Sequence, residues 1–155
     1  MVAEQLAERN VPVIVKPLTS LPDGFDRLGA RFDNAALLHE AGVTVAVSSF
    51  QSHRAHNVGL EAGNAVRFGL PWETALRAVT LTPAEIYGVA DRYGSIEIGK
   101  VGNLVIWSGD PFELSGRAEQ VIIRGIAVPV ASRQLELLER YRTLDGGPPA
   151  YKGGP

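Results

Sequence analysis

The chain has 155 residues, the size of one ordinary domain, and 45% of them are apolar, so it can bury a core. Its formal net charge of −2 excludes a nucleic-acid binder that acts through a basic face. The absence of cysteine excludes disulfides, thiolate metal sites and a cysteine nucleophile. No apolar run is long enough to span a bilayer, and the N-terminus has no signal-peptide pattern, so we expect a cytoplasmic protein.

Two apolar, β-branched runs predict buried strands of the parallel type, at Val11–Val15 and Val43–Val47. A long loop follows each of them. The first, Lys16–Phe32, is of a length that is usually functional or mobile inside a compact domain. The second, Ser48–Asn57, is polar.

Helices are predicted after each of these loops. Asp33 is a favourable N-cap for a helix over residues 34–41. A second helix is predicted over Val58–Phe68, and Pro71 suits the first turn of a third. Thr82–Glu85 has the Thr-x-x-Glu pattern of a capping box, which predicts the start of a fourth.

The character of the sequence changes after residue 89. Strands are predicted at Leu104–Trp107, Gln120–Ile123 and Ile126–Val128. A helix is predicted over Ser132–Arg142. Residues 145–155 are rich in glycine and proline and are expected to form a disordered tail.

Two parallel strands with their helices do not make a finished domain. Parallel strands need both faces covered and neighbours on both edges, or apolar surface and backbone groups stay exposed. A closed barrel of eight such units takes about 250 residues. The chain is therefore either a small, unusual α/β arrangement or the C-terminal part of a barrel protein.

Three motifs in order decide between these alternatives: Thr82–Val89, Gly94–Lys100 and Asn103–Phe112. Together they resemble the C-terminal segment of the metal-dependent amidohydrolase superfamily, closest to its imidazolonepropionase-like and prolidase-like branch. The resemblance covers roughly residues 3–130. One departure is Gly102-Asn103, where the family usually has Ala-Asp before the strand.

The resemblance implies an α/β fold, the last part of a (β/α)8 TIM-type barrel plus the C-terminal strands of a small β-sandwich. The expected organisation is a partial barrel at 1–89, sandwich strands at 90–130, a C-terminal helix at 131–144 and the tail at 145–155.

The resemblance also implies hydrolysis of amide or related C–N bonds by a zinc-type metal, which lowers the pKa of a bound water. The family's ligands are a His-x-His pair, a lysine or carboxylate, two further histidines and an aspartate after the last strand. Matching that strand places the aspartate at Phe50, or at Ser49 if the register shifts by one. The only histidines are His39, His53 and His56, so the metal ligands are largely missing from this chain.

Four residues of the polar loop are candidates for substrate binding because barrel enzymes place their chemistry at strand carboxyl ends. They are Ser49, His53, His56 and Asn57. The alternative interpretation is a solvated loop; a His-x-x-His metal pair or a serine nucleophile would need further groups that the nearby sequence does not offer. Lys16 and Asp23 could also contact substrate from the other strand-end loop, but a solvated loop is the favoured interpretation there.

Two functional hypotheses follow. In the first, the chain is the C-terminal part of an amidohydrolase-like enzyme for a small-molecule substrate, inactive alone and completed by an N-terminal portion or a partner chain. In the second, it is a non-catalytic binding or structural module that self-associates. Neither involves nucleic acid or membrane. A first half carrying His-x-His immediately upstream would favour the enzyme.

Overall fold

A computed structural model describes residues 2–130 and 133–142. The α-helices are α1 Val2–Glu8, α2 Asn34–Glu40, α3 Val58–Arg67, α4 Trp72–Val79, α5 Leu81–Ile86 and α6 Arg133–Tyr141. The strands are β1 Val13–Val15, β2 Val45–Val47, β3 Leu104–Trp107, β4 Ala118–Ile123 and β5 Ile126–Val128. Short 3-10 helices lie at Pro17–Thr19, Phe25–Arg27 and Ser52–Asn57. The predicted tail at 145–155 lies outside the described residues.

The first sheet consists of β1 and β2, which pair in parallel with Val13 opposite Val45 and Val15 opposite Val47. All three residues of β2 are buried, whereas those of β1 are half-buried. α2 makes the crossover between the two strands, as parallel pairing requires. The predicted α/β class is therefore confirmed.

The second sheet is antiparallel, with strand order β3-β4-β5. The turn between β4 and β5 has positive φ at Arg124 (52°) and at Gly125 (79°), which matches the right-handed twist of a hairpin. Asn103 Oδ1 accepts the Arg124 N–H at 2.9 Å and pins this turn to the start of β3. β3 and β5 match the predicted strands, and β4 begins two residues earlier than predicted, at Ala118 and not at Gln120.

The core lies between β2 and the helices. Its buried side chains come from α2, β2, α3 and α4 and the segments beside them: Ala35, Leu38, Val43, Val45, Ala62, Ala65, Leu70, Ala75 and Phe112. Small residues dominate the α3 part, which lets this helix pack closely. Among the described residues, no helix has the length and apolar character needed to cross a lipid bilayer.

Both parallel strands are two residues shorter at their start than the apolar runs predict. The Val11 N–H donates to Leu6 O and the Val43 N–H to Leu38 O, each at 2.9 Å, so these amides close the preceding helices and do not join the sheet. Pro12 has no N–H to offer. Pairing therefore starts at Val13, whose N–H donates to the carbonyl of Thr44, the residue just before β2.

Both predicted side-chain caps are wrong. Asp33 precedes α2, but its carboxylate pairs with Arg31 and makes no capping hydrogen bond. α5 begins one residue before Thr82, which is buried inside the helix and caps nothing. Glu85, the other half of the expected capping box, forms an ion pair with Arg77 of α4. The carboxylates of Asp33 and Glu85 thus each pair with an arginine in place of a backbone amide.

The long loop between β1 and α2 is structured by two 3-10 helices. At its end, the ring of Phe32 stacks on that of Phe68, with centroids 4.7 Å apart and planes 17° apart. This contact ties the end of the loop to the last turn of α3.

Candidate functional site

The carboxyl ends of β1 and β2 lie side by side. Lys16 follows Val15 and Ser48 follows Val47, and the Ser48 N–H donates to Val15 O at 3.0 Å, extending the parallel ladder by one step. The two loops that leave the sheet therefore start next to each other. In parallel α/β folds this edge is where ligands bind.

A tight turn of two serines presents Phe50 at this edge. The Phe50 N–H donates to Ser48 Oγ at 3.1 Å, and Ser49 Oγ donates to Gln51 O at 3.1 Å. Phe50 has a φ of 53°, in the left-handed region that aromatic residues rarely adopt, and 61% of the residue is exposed. The turn thus places an aromatic ring where the family's aspartate is expected.

A cavity of about 450 Å³ opens beside Phe50. The residues that line it come from the two strand-end loops: Lys16, Thr19, Ser20, Leu21, Arg27, Ala30 and Phe50. Two are cationic, two carry hydroxyls, three are apolar, and none is acidic. Its volume falls in the range of ligand pockets, roughly 300–1,000 Å³.

One wall of this cavity is positioned by a buried clamp from α3. Glu61, only 1% exposed, accepts the Leu18 N–H through Oε2 at 2.7 Å. One helical turn further on, Asn64 Nδ2 donates to Pro17 O at 2.9 Å. The 3-10 turn after Lys16 is therefore held at both a backbone donor and a backbone acceptor.

Sequence reasoning missed this Glu61–Asn64 clamp because its bonds join residues 43 and 47 positions apart. One signal was available. Glu61 lies on the face of α3 that also carries Val58, Ala62 and Ala65, and a carboxylate on an apolar helix face needs a partner when buried.

The four candidate substrate-binding residues do not converge on one point. Ser49 is buried in the turn, while His53 and His56 are exposed and their side chains make no hydrogen bond or ion pair with any residue of the described part. Asn57 is half-buried at the start of α3. His56 lines a second, larger cavity of about 1,100 Å³, bounded by α3, α4 and β3. Their role in substrate binding stays a prediction.

The metal that the family implies does not fit the described residues. Over 2–130 and 133–142, no group of three or more histidine, aspartate or glutamate side chains is arranged to hold an ion. The strand-end position that should carry a carboxylate carries Phe50, and the adjacent cavity is lined by Lys16 and Arg27, which repel a divalent cation. We therefore assign no metal to this cavity.

Comparison with known proteins agrees with the fold and the motifs. A crystal structure of an amidohydrolase from Thermotoga maritima MSB8 superposes with a TM-score of 0.76 at 34% identity, covering 83% of this chain and 34% of that one. Amidohydrolase tasK of Hapsidospora irregularis is 36% identical over 92 residues, 59% of this chain and 9% of that protein. An imidazolonepropionase of Sphingopyxis alaskensis is 47% identical over 51 residues, 32% of this chain and 13% of that protein.

The chain thus spans about a third of the Thermotoga structure, and its matches cover a smaller share of the two other relatives. The model of the family described as "Amidohydrolase family" matches residues 1–134, most of the sequence. The resemblance read from the three motifs is confirmed, and the chain belongs to the amidohydrolase family.

Proposed function

We propose that this chain forms the C-terminal part of an amidohydrolase-like enzyme that hydrolyses amide or related C–N bonds of a small molecule. In this proposal β1 and β2 are the last strands of a (β/α)8 barrel, and β3, β4 and β5 belong to a β-sandwich beside it. Family membership supports hydrolysis as the reaction class. The single observation that carries the placement is the cavity at the adjoining carboxyl ends of β1 and β2.

The chain's contribution to such an enzyme is a wall of the substrate pocket and not the hydrolytic machinery. The side chain of Phe50 has no proton to exchange and no oxygen to offer a metal, and the hydroxyl of Ser49 is hydrogen-bonded within its own turn. Any metal ligands and the general base would come from residues outside the described part. We therefore expect the chain alone to be inactive.

Metal content and hydrolysis of the purified, tag-free chain test this proposal together. We expect much less than one zinc-like ion per chain by elemental analysis, and no turnover of N-acyl amino acids or dipeptides with or without added zinc. One ion per chain, or metal-dependent turnover by the chain alone, would contradict it. Activity that appears only when a first-half partner chain is added would support it.

The loss of the strand-end carboxylate at Phe50 favours a second candidate, a non-catalytic module built on the same scaffold. In that case the open edges of the parallel sheet would be covered by a second copy of the chain. The two candidates differ in what lies upstream. A first half with His-x-His and two later histidines, in the same reading frame or operon, favours the enzyme. A stable homo-oligomer without such a partner favours the module.

A further inference from the structure

We propose that the cavity beside Phe50 is a metal-independent binding site for a small carboxylate with an apolar body. Lys16 would meet the carboxylate, and the ring of Phe50 would cover the apolar part. This inference concerns binding alone, so it does not depend on whether the chain takes part in hydrolysis.

The charge of the cavity selects an anion. Lys16 is half-buried, and its side chain makes no hydrogen bond or ion pair with any residue in the described ranges. Arg27 forms an ion pair with Asp23 at 3.4 Å, with both side chains more than half exposed, an arrangement that holds the guanidinium weakly. A partly buried ammonium without an internal partner favours an external anion, which it binds through short, charge-assisted hydrogen bonds.

The shape and polarity of the walls select a carboxylate with an apolar body over a bare inorganic anion. Leu21, Ala30 and Phe50 contribute apolar surface to the same cavity as the two cations, while Thr19 and Ser20 offer hydroxyl donors. Phe50 keeps its ring exposed at the cavity in a left-handed backbone conformation that is unfavourable by roughly 1–2 kcal/mol for a residue with a side chain. Strained residues of this kind cluster at ligand sites.

The site is also organised before any ligand binds. The Glu61–Asn64 clamp fixes Pro17 and Leu18, the two residues between Lys16 and Thr19. On the other side, the serine turn fixes Phe50. Little loop ordering is therefore left to oppose binding, which raises the affinity for a small ligand.

Calorimetric titration of the full 155-residue chain with phenylacetate and with phenylacetamide, both in EDTA, tests the proposal. The two probes share their shape and differ in charge. We expect phenylacetate to bind with a dissociation constant of about 1 mM or lower and phenylacetamide to bind at least about tenfold more weakly. Lys16→Met should weaken phenylacetate binding by at least about tenfold. Arg9→Met removes the same charge near the opposite end of β1 and should leave it unchanged.

Phe50→Asp serves as a second variant, because this exposed position tolerates a polar side chain and the new carboxylate would repel the ligand. It should also weaken phenylacetate binding by about tenfold or more. Circular dichroism and thermal melting of each variant identify any that misfold. No binding of phenylacetate in EDTA, equal binding of the two probes, or an equal effect of Lys16→Met and Arg9→Met would overturn the inference. Hydrolysis and metal content play no part in these outcomes, so failure here leaves the proposed function standing.

Discussion

Replacing Glu61 is expected to release the loop that carries Lys16, and its effect can be estimated from the contacts of this one carboxylate. Glu61→Ala removes a charge-assisted hydrogen bond to the Leu18 N–H, worth about 1.5–3 kcal/mol. It also removes the stem of a residue that is 1% exposed, at about 0.8 kcal/mol per buried methylene. We expect a loss of about 2–4 kcal/mol in the free energy of unfolding.

Urea unfolding at a fixed protein concentration, followed by circular dichroism, measures this loss. Glu61→Gln keeps the shape and a neutral acceptor, so we expect a loss of about 1 kcal/mol. Glu73→Gln is the matched control, an exposed glutamate in the first turn of α4, and should stay within about 0.5 kcal/mol of the unmodified chain.

Hydrogen exchange locates the effect. The Leu18 amide should lose protection in Glu61→Ala well before the amides of β2 do. If Glu61→Ala matched Glu73→Gln in stability, or if the Leu18 amide exchanged as slowly as before, the clamp would not be what holds this loop.

Two further predictions concern packing and charge. Gly63→Ala would bring a methyl group to 2.5 Å from Phe112 O, so we expect the free energy of unfolding to fall by about 1–3 kcal/mol. Gly29→Ala is the control, because nothing lies within 4 Å of the added methyl group, and it should change stability little. Equal melting temperatures of the two variants would refute this prediction. The hydrogen bond from Arg31 lowers the pKa of Asp33 in the folded protein. The ionised carboxylate of Asp33 therefore stabilises the fold at pH values above its unfolded pKa, and this stabilisation is lost as the pH falls through the lowered folded pKa. Arg31→Gln should raise that pKa in an NMR titration; an unchanged value would refute the pairing.

Sequence patterns predicted the elements whose partners lie close by or whose burial is uniform. The Val43–Val47 run predicts a buried strand because all its members are apolar, and β2 is indeed buried throughout. The helical face of α3 follows in the same way from its spacing. Matching this strand to the family then placed the strand-end aspartate at Phe50 or, with a shift of one residue, at Ser49, and the structure sets Phe50 at the edge of a cavity.

The features that the sequence did not predict depend on partners chosen by the tertiary structure. The Thr82–Glu85 pattern fits a capping box, but packing buries Thr82 and brings Arg77 within reach of Glu85. The sequence did not predict the cavity, because its lining residues come from two loops, the one that begins at Lys16 and the one that contains Phe50, which are far apart in the sequence. The spacing of residues within one segment carries no information about such tertiary contacts.

The attachment of the three-stranded sheet has a mechanical consequence. Between β3 and β4, Asp110 accepts the Trp72 indole N–H at 2.9 Å, and the Phe112 ring packs against the same indole with centroids 5.5 Å apart. Gly59 and Gly63, one turn apart on α3, let the backbone of this segment lie directly on the helix. This segment therefore anchors the three-stranded sheet to α3 and α4. Because Phe112 is also a member of the buried core, the sheet cannot separate from the helices without breaking these contacts and opening the core.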